Sequence, residues 1–247
     1  MVAGVYEIAE TADIETSSEE YARRFSGSVG QWFLKVQEEA TLRMLAPHFG
    51  ATVLDVGGGH GQIANALVRN GYRVTVFGSA DVCRMRIQHL IQDNRCLFEF
   101  GNILQLPYPN GAFDMVVSYR LLSHVARWPQ FLSELVRVAR VGVMIDYPTT
   151  RSINFIAPQL FRIKKQLEGD TRTFSAFSES QLLKHFEAHG FQRADRYAQF
   201  FLPMVLHRVL KSATISAGAE RVFRLAGATR LFGSPVILKL LRKVADA

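Results

Sequence analysis

Asp55 follows an apolar run, Thr52-Val53-Leu54, and precedes four glycines in five positions: Gly57, Gly58, Gly59 and Gly61, with His60 among them. A carboxylate beside a turn free to adopt positive φ can hold a cationic group while bare backbone closes on the rest of a ligand. Beyond the turn, Ile63, Ala64, Leu67 and Val68 recur at helical spacing, so the chain runs strand, turn, helix. Two ligand classes suit it. Gly59 to Ala64 satisfies the loose dinucleotide pattern G-x-G-x-x-A. Asp55 to Gly61 also reads D-x-G-x-G-x-G, with an acid at the strand end and a wider loop than a pyrophosphate needs. A turn that binds nothing is the plain alternative, but glycines at this density weaken folding for no return. Farther along, His124 is a candidate base for a hydroxyl or phenol acceptor, or a structural histidine. Asp146, Tyr147, Arg151 and Arg172 are candidates to hold a polar acceptor. No Cys/His cluster has metal-ligand spacing, so no metal site is expected.

These residues need elements to position them. Strands are expected at 52–56, 72–77, 96–100, a segment ending at Ser118, 143–147, 191–201 and 233–240. Helical stripes fall between them: one opened by Ser18 that carries Tyr21, one at 31–45 with Phe33, Val36, Ala40 and Met44, and one begun near Pro129. A helix is expected over 151–168, followed by a loop to Thr173. Ser178 to Gln181 is a capping box, and residues 204–231 read as one or two amphipathic basic helices. Alternating strands and helices imply right-handed crossovers, a mostly parallel sheet and ligands beyond the strand carboxyl ends. That rule gathers Asp55, the glycine turn, Gly78, Ser79, Asn102, Tyr119 and Asp146 at one edge.

The motif Asp55 to Gly61 resembles the first motif of class I S-adenosylmethionine-dependent methyltransferases. Gly101-Asn102-Ile103 through Leu106-Pro107-Tyr108-Pro109 to Phe113-Asp114 is similar to the G-D-x-x-x-L-P-F-P-D-x-S-F-D segment of the type 11 small-molecule group. Glu134 to Arg140 resembles that group's E-L-x-R-V-L-x-P-G-G, with Val141-Gly142 in place of the Pro-Gly-Gly turn. The resemblance runs from about Ala51 to Asp146 and implies a Rossmann-like three-layer sandwich with seven strands, the last antiparallel. It implies S-adenosylmethionine as cofactor, S-adenosylhomocysteine as product, and a donor site of Asp55, Gly57, Gly58, Gly59, Gly61, Gly78, Ser79, Asn102, Ile103 and Tyr119, with Tyr21 on a lid. The chain departs from the pattern at the second strand. Gly78-Ser79 stands where an acid usually meets the ribose hydroxyls; Ser79, a backbone group or Asp81 is left to substitute, unless Asp81 is a helix cap. Two other readings stay open: an NAD-linked oxidoreductase, and a cofactor-binding module without catalysis.

With 247 residues the chain can bury a full core, and a single domain is expected: a helical lid over 1–50, a cofactor core over 51–147 and an acceptor-binding, sheet-completing part over 148–247. Two cysteines exclude a disulfide scaffold and suit a reducing cytoplasm, as does an amino terminus without a secretory pattern. Residues 1 to 18 are polar and expected to be mobile or loosely packed. Of the net charge of +7, residues 196–247 hold nine Lys or Arg against two acids, interleaved with aliphatic residues. That mixture suits a lipid-like or partly apolar small acceptor and a peripheral membrane contact better than nucleic acid.

Overall fold

The computed structural model describes residues 10–153 and 174–243. Its strands are β1 (Thr52–Val56), β2 (Arg73–Gly78), β3 (Cys96–Phe100), β4 (Phe113–Ser118), β5 (Ala139–Tyr147), β6 (Phe191–Phe200) and β7 (Ser234–Arg242). They form one sheet in the order β3-β2-β1-β4-β5-β7-β6. The first five pair in parallel. β7 runs antiparallel to both β5 and β6. The described helices are α1 (Ala12–Thr16), α2 (Glu19–Arg23), α3 (Gly27–Leu45), α4 (Gln62–Arg69), α5 (Gln88–Gln92), α6 (Trp128–Val138), α7 (Glu179–Ala188), α8 (Met204–Leu210), α9 (Ala213–Leu225) and α10 (Ala228–Phe232).

The central strands are apolar on both sides because each face is covered. Leu54 and Val56 pack with Phe131, Leu135, Leu182 and Phe186 of α6 and α7. Val53 packs on the other face with Met44, Ile63, Leu67 and Leu90 from α3, α4 and α5. This is the three-layer Rossmann-like arrangement expected from the sequence.

The motifs outside the glycine turn fix this frame. Asp114 accepts Thr52 N at 2.9 Å and Thr52 Oγ1 at 2.8 Å, joining β4 to the start of β1 at the edge opposite the site. Burial opposes its charge, but those bonds and Arg140 outweigh it and hold the carboxyl down to about 2. Glu134 and Arg137 act together on the loop before β4: Glu134 Oε2 accepts Leu106 N at 2.8 Å, and Arg137 donates to Tyr108 O at 2.6 Å and Leu106 O at 2.8 Å.

Several expectations change. The amino-terminal stretch from Ala12 is ordered, and Asp13, Thr16 and Ser17 are buried. α3 begins at Gly27, and its buried stripe is Phe33, Gln37, Ala40 and Met44, with Gln37 in place of Val36. Asp81 is no N-cap; it is exposed and pairs with Arg84 at 3.2 Å. Three helices, not one or two, connect β6 to β7. The helix read over 151–168 lies outside the described residues except for 151–153, as does the loop to Thr173 with Arg172.

Candidate functional site

Parallel pairing to β2 and β4 brings Asp55 to the carboxyl edge of the sheet. Gly57 and Gly61 turn at φ of 77° and 81°, and a Cβ on Gly58 would lie 2.1 Å from Asp55 Oδ2, so the glycines are steric requirements. Asp55 is 2 % exposed, and its Oδ2 has no hydrogen-bond partner. Burial pushes its carboxyl up to about 7, with Arg120 pulling the other way. Arg120, just past β4, holds the left-handed φ of 59° that residues with a Cβ seldom adopt. Its backbone N donates to Asp146 Oδ1 at 2.6 Å, Nη2 donates to Gln62 Oε1 at 2.9 Å, and its guanidinium lies 5.2 Å from the Phe25 ring centroid. Its Nη1 is buried without a partner. An unmatched carboxylate oxygen and an unmatched guanidinium nitrogen thus line one notch, the complement of an α-amino acid's ammonium and carboxylate. His60 stands edge-on to Tyr21 and Phe25, and burial with Arg120 and Arg86 drives it down to about 2, a neutral ring that shapes the turn.

The notch is small, ≈ 10 Å³, and Thr16 of α1 forms one wall. Next to it α1 fills the space between the glycine turn and the end of β2. Asp13 Oδ2 accepts Ser79 N at 2.6 Å, and its Oδ1 accepts Ser79 Oγ at 2.5 Å. Gly78 is buried against Cys83. Ile103 is fully buried, and Asn102 is exposed with its Oδ1 accepting the N–H of Leu104 at 2.9 Å. Tyr119 is buried, with its hydroxyl 3.0 Å from Thr41 Oγ1 on α3.

On the far side of Arg120 opens a cavity of ≈ 230 Å³ walled by Phe25, Phe33, Phe174, Phe200, Met204 and Val205. Tyr21, Asp146 and His124 also line it. The His124 ring meets Phe174 edge-on at 5.9 Å. Asp146 accepts from Arg120 N and, at 3.0 Å, from Gln37 Nε2; burial raises its carboxyl to about 6. Tyr147 is not in this cavity: strand alternation turns it to the opposite face, where its hydroxyl donates to Glu179 at 3.3 Å. Arg151 is exposed and does not line the cavity.

A family model described as a methyltransferase domain matches residues 54–145, the stretch that contains the glycine turn, Asn102 and Arg120. A demethylmenaquinone methyltransferase from Tropheryma whipplei is 29 % identical over 197 residues, covering 70 % of this chain and 79 % of the relative. Over residues 54–145 the chain is similar to the S-adenosylmethionine-dependent methyltransferases. As a methyltransferase it moves the methyl group of S-adenosylmethionine to a small molecule. In fold it matches a Synechocystis magnesium protoporphyrin IX methyltransferase with bound S-adenosylhomocysteine at a TM-score of 0.64 and 16 % identity, over 92 % of this chain and 96 % of that one. A [4+2]-cyclase, SpnF, shares the fold at a TM-score of 0.54 and 20 % identity, over 79 % and 76 %. Such a frame hosts more than one chemistry, so the reaction has to be argued from the side chains.

Those side chains fit the amino-acid half of the donor, where Asp55 and Arg120 are unmatched. With α1 in place the notch between them holds only ≈ 10 Å³. Three residues of this methyltransferase escape sequence reasoning: Arg120, Gln37 and Asp13. A glutamine on the apolar stripe of α3 was a usable sign of a buried acceptor facing it, whereas nothing in an acidic amino-terminal segment distinguishes Asp13.

Proposed function

We propose that the Asp55–Arg120 notch holds the amino-acid end of S-adenosylmethionine and that the adjoining cavity holds the acceptor. The observation that carries this reading is Arg120 itself, which lines both spaces. Asp55 takes the ammonium, Arg120 Nη1 the carboxylate, and Gly57 to Gly61 lie under the chain between them. Gly78, Ser79, Asn102 and Ile103 border the adenosyl end, Tyr119 supports the floor through Thr41, and Tyr21 roofs the site with His60. When bound, the donor supplies a sulfonium methyl already activated for in-line transfer, so the enzyme's task is alignment and exclusion of water. Asp146 holds Arg120 and α3 in register through Gln37. His124 serves as the base for a hydroxyl acceptor; its replacement by alanine then removes the acidic limb of the pH–rate profile. An unchanged profile ends that assignment.

S-Adenosylmethionine and S-adenosylhomocysteine should each raise the melting temperature and NAD should not, while Asp55→Ala should lose that response and stay folded. A shift with NAD alone would overturn the donor assignment.

The acceptor is partly apolar and lipid-like, and the three helices between β6 and β7 support this. They are inside out. α9 buries Ser216 and Glu220 while Ile215, Val222 and Leu225 are 59 %, 64 % and 81 % exposed. α8 buries His207 beside Val205 and exposes Val209, and α10 buries Thr229 and exposes Leu231. Arg221 and Arg230 are exposed on the same insert. Met204 and Val205, at its root, wall the acceptor cavity. An apolar surface studded with cations suits an anionic bilayer. Among the described residues no helix is long and apolar enough to cross a membrane. We therefore read a single-domain cytoplasmic enzyme, with a helical lid over 1–50, a cofactor core over 51–147 and an acceptor part over 148–247, that rests on a membrane and draws its acceptor from it. Flotation with vesicles containing acidic lipid tests the contact: Val222→Glu with Leu225→Glu should abolish flotation, and a native protein that stays in the aqueous phase removes it. Labelled methyl transfer should then appear in the lipid fraction of an extract.

A further inference from the structure

Asp13 is a buried carboxylate for which the donor reading has no use. It is 0 % exposed, and its described partners are neutral: Ser79 N, Ser79 Oγ, and Cys83 Sγ at 3.5 Å. All three lie at or just after the end of β2, where relatives of this fold place an acid for the ribose. The other residues of the segment seal the same space. Ala12 belongs to the buried cluster that also holds Leu54, Val56, Phe77, Ile103 and Leu121. A Cβ on Gly57 would meet Asp13 Cβ at 3.5 Å, and one on Gly59 would meet Ser17 Oγ at 2.2 Å.

We propose that Asp13 gates the donor site: its carboxylate takes, on Ser79, the place that the donor's ribosyl hydroxyls need, so the donor enters only as α1 swings out. This rests on the reading that the glycine turn and Ser79 border the donor. The departure at the end of β2 and the buried carboxylate explain each other. An acid at position 79 would set two carboxylates in contact, which like charges oppose, whereas a serine offers two donors to the one that is there. α1 is also built to leave. It has five residues and no side-chain N-cap, too short to be stable alone. Once released, Asp13 regains the hydration that neutral donors replace incompletely. The affinity measured for the donor is then its intrinsic affinity reduced by the fraction of molecules with α1 withdrawn.

Calorimetry of S-adenosylhomocysteine binding to the full chain tests this. Asp13→Ala removes bonds worth roughly a tenfold change in that fraction, so it should bind about tenfold more tightly than the native protein. Asp13→Asn, which keeps the shape, should move in the same direction by less and serves if the alanine variant does not fold. Stopped-flow association should level off with rising ligand for the native protein, where α1 departure limits the rate, and rise linearly for Asp13→Ala. Unchanged or weaker binding by both variants overturns the gate; weaker binding would make Asp13 a partner of the ribose instead of a rival. Asp55→Ala separates the two claims. If it loses the ligand while the Asp13 variants gain nothing, only the gate falls. If it binds as the native protein does, the donor assignment falls, and the gate with it.

Discussion

At the scale of single residues the site is defined by charges that the fold leaves unmatched. Asp55 sits at about 7 because burial favours its neutral form. Its folded value exceeds the ordinary one near 4. The stability that follows is present below about pH 4 and is lost as pH rises through about 7. An ammonium ligand reverses the preference by pairing with the ionised form. Donor affinity should therefore rise with pH up to about 7, with release of a proton on binding; calorimetry in buffers of different ionisation enthalpy measures that proton. Arg120 carries a second consequence. Its left-handed backbone costs on the order of 1 kcal/mol, which Arg120→Gly recovers, about offsetting the lost bond to Gln62. Thermal melting should hardly change while donor affinity falls by tenfold or more; a variant that melts far lower would mean that the guanidinium serves the fold first. Asp55 and the glycines were legible in the sequence because the turn constrains residue type directly. Arg120 was not, since its role depends on a conformation that residue identity does not encode.

At the scale of elements, the insert between β6 and β7 is held from beneath by one acid. Glu220, 4 % exposed, accepts Phe201 N and Leu202 N, each at 2.8 Å, and faces His207 Nε2 at 3.1 Å. It caps the turn that leads from β6 into α8 and so fixes the wall of the acceptor cavity. Glu220→Ala leaves two part-buried N–H groups without their acceptor and should cost about 2–3 kcal/mol, a fall in melting temperature of roughly 5–10 °C. Acceptor affinity should weaken while donor affinity holds. The strands were readable because their apolar runs are bounded by turn residues, and parallel pairing follows from the alternation with helices. The insert was harder: its periodicity is that of an amphipathic helix, and periodicity alone does not say which stripe faces the core. Its buried residues are mostly polar: Glu220 is met by Phe201 N and Leu202 N from the turn after β6, while Ser216 Oγ and Thr229 Oγ1 are buried without a partner. Tyr147 was misplaced for a simpler reason, since neighbouring strand residues point to opposite faces and only one can share a cavity with Asp146.

At the scale of the whole molecule, the donor at a hundred times its dissociation constant should add about 2.7 kcal/mol, a rise of roughly 5–10 °C in melting temperature. Where that stability appears is set by how the amino-terminal helices are attached. α3 is secured along its length: Gln37 to Asp146, Thr41 to Tyr119, and at its carboxyl end Lys239 Nζ, which donates to Met44 O at 2.7 Å from within β7. At the head of that anchored helix, after α1 and α2, stands Gly27, at φ of 73° with nothing crowding its α-carbon. The chain therefore has a fixed post and a free leaf joined at one pivot, and deuterium uptake should record it. Amides of residues 12–25 should exchange well before those of 30–45 by a route that leaves the sheet intact, and the order should persist under mild denaturant, because Lys239 ties the post to the strand laid down last in sequence.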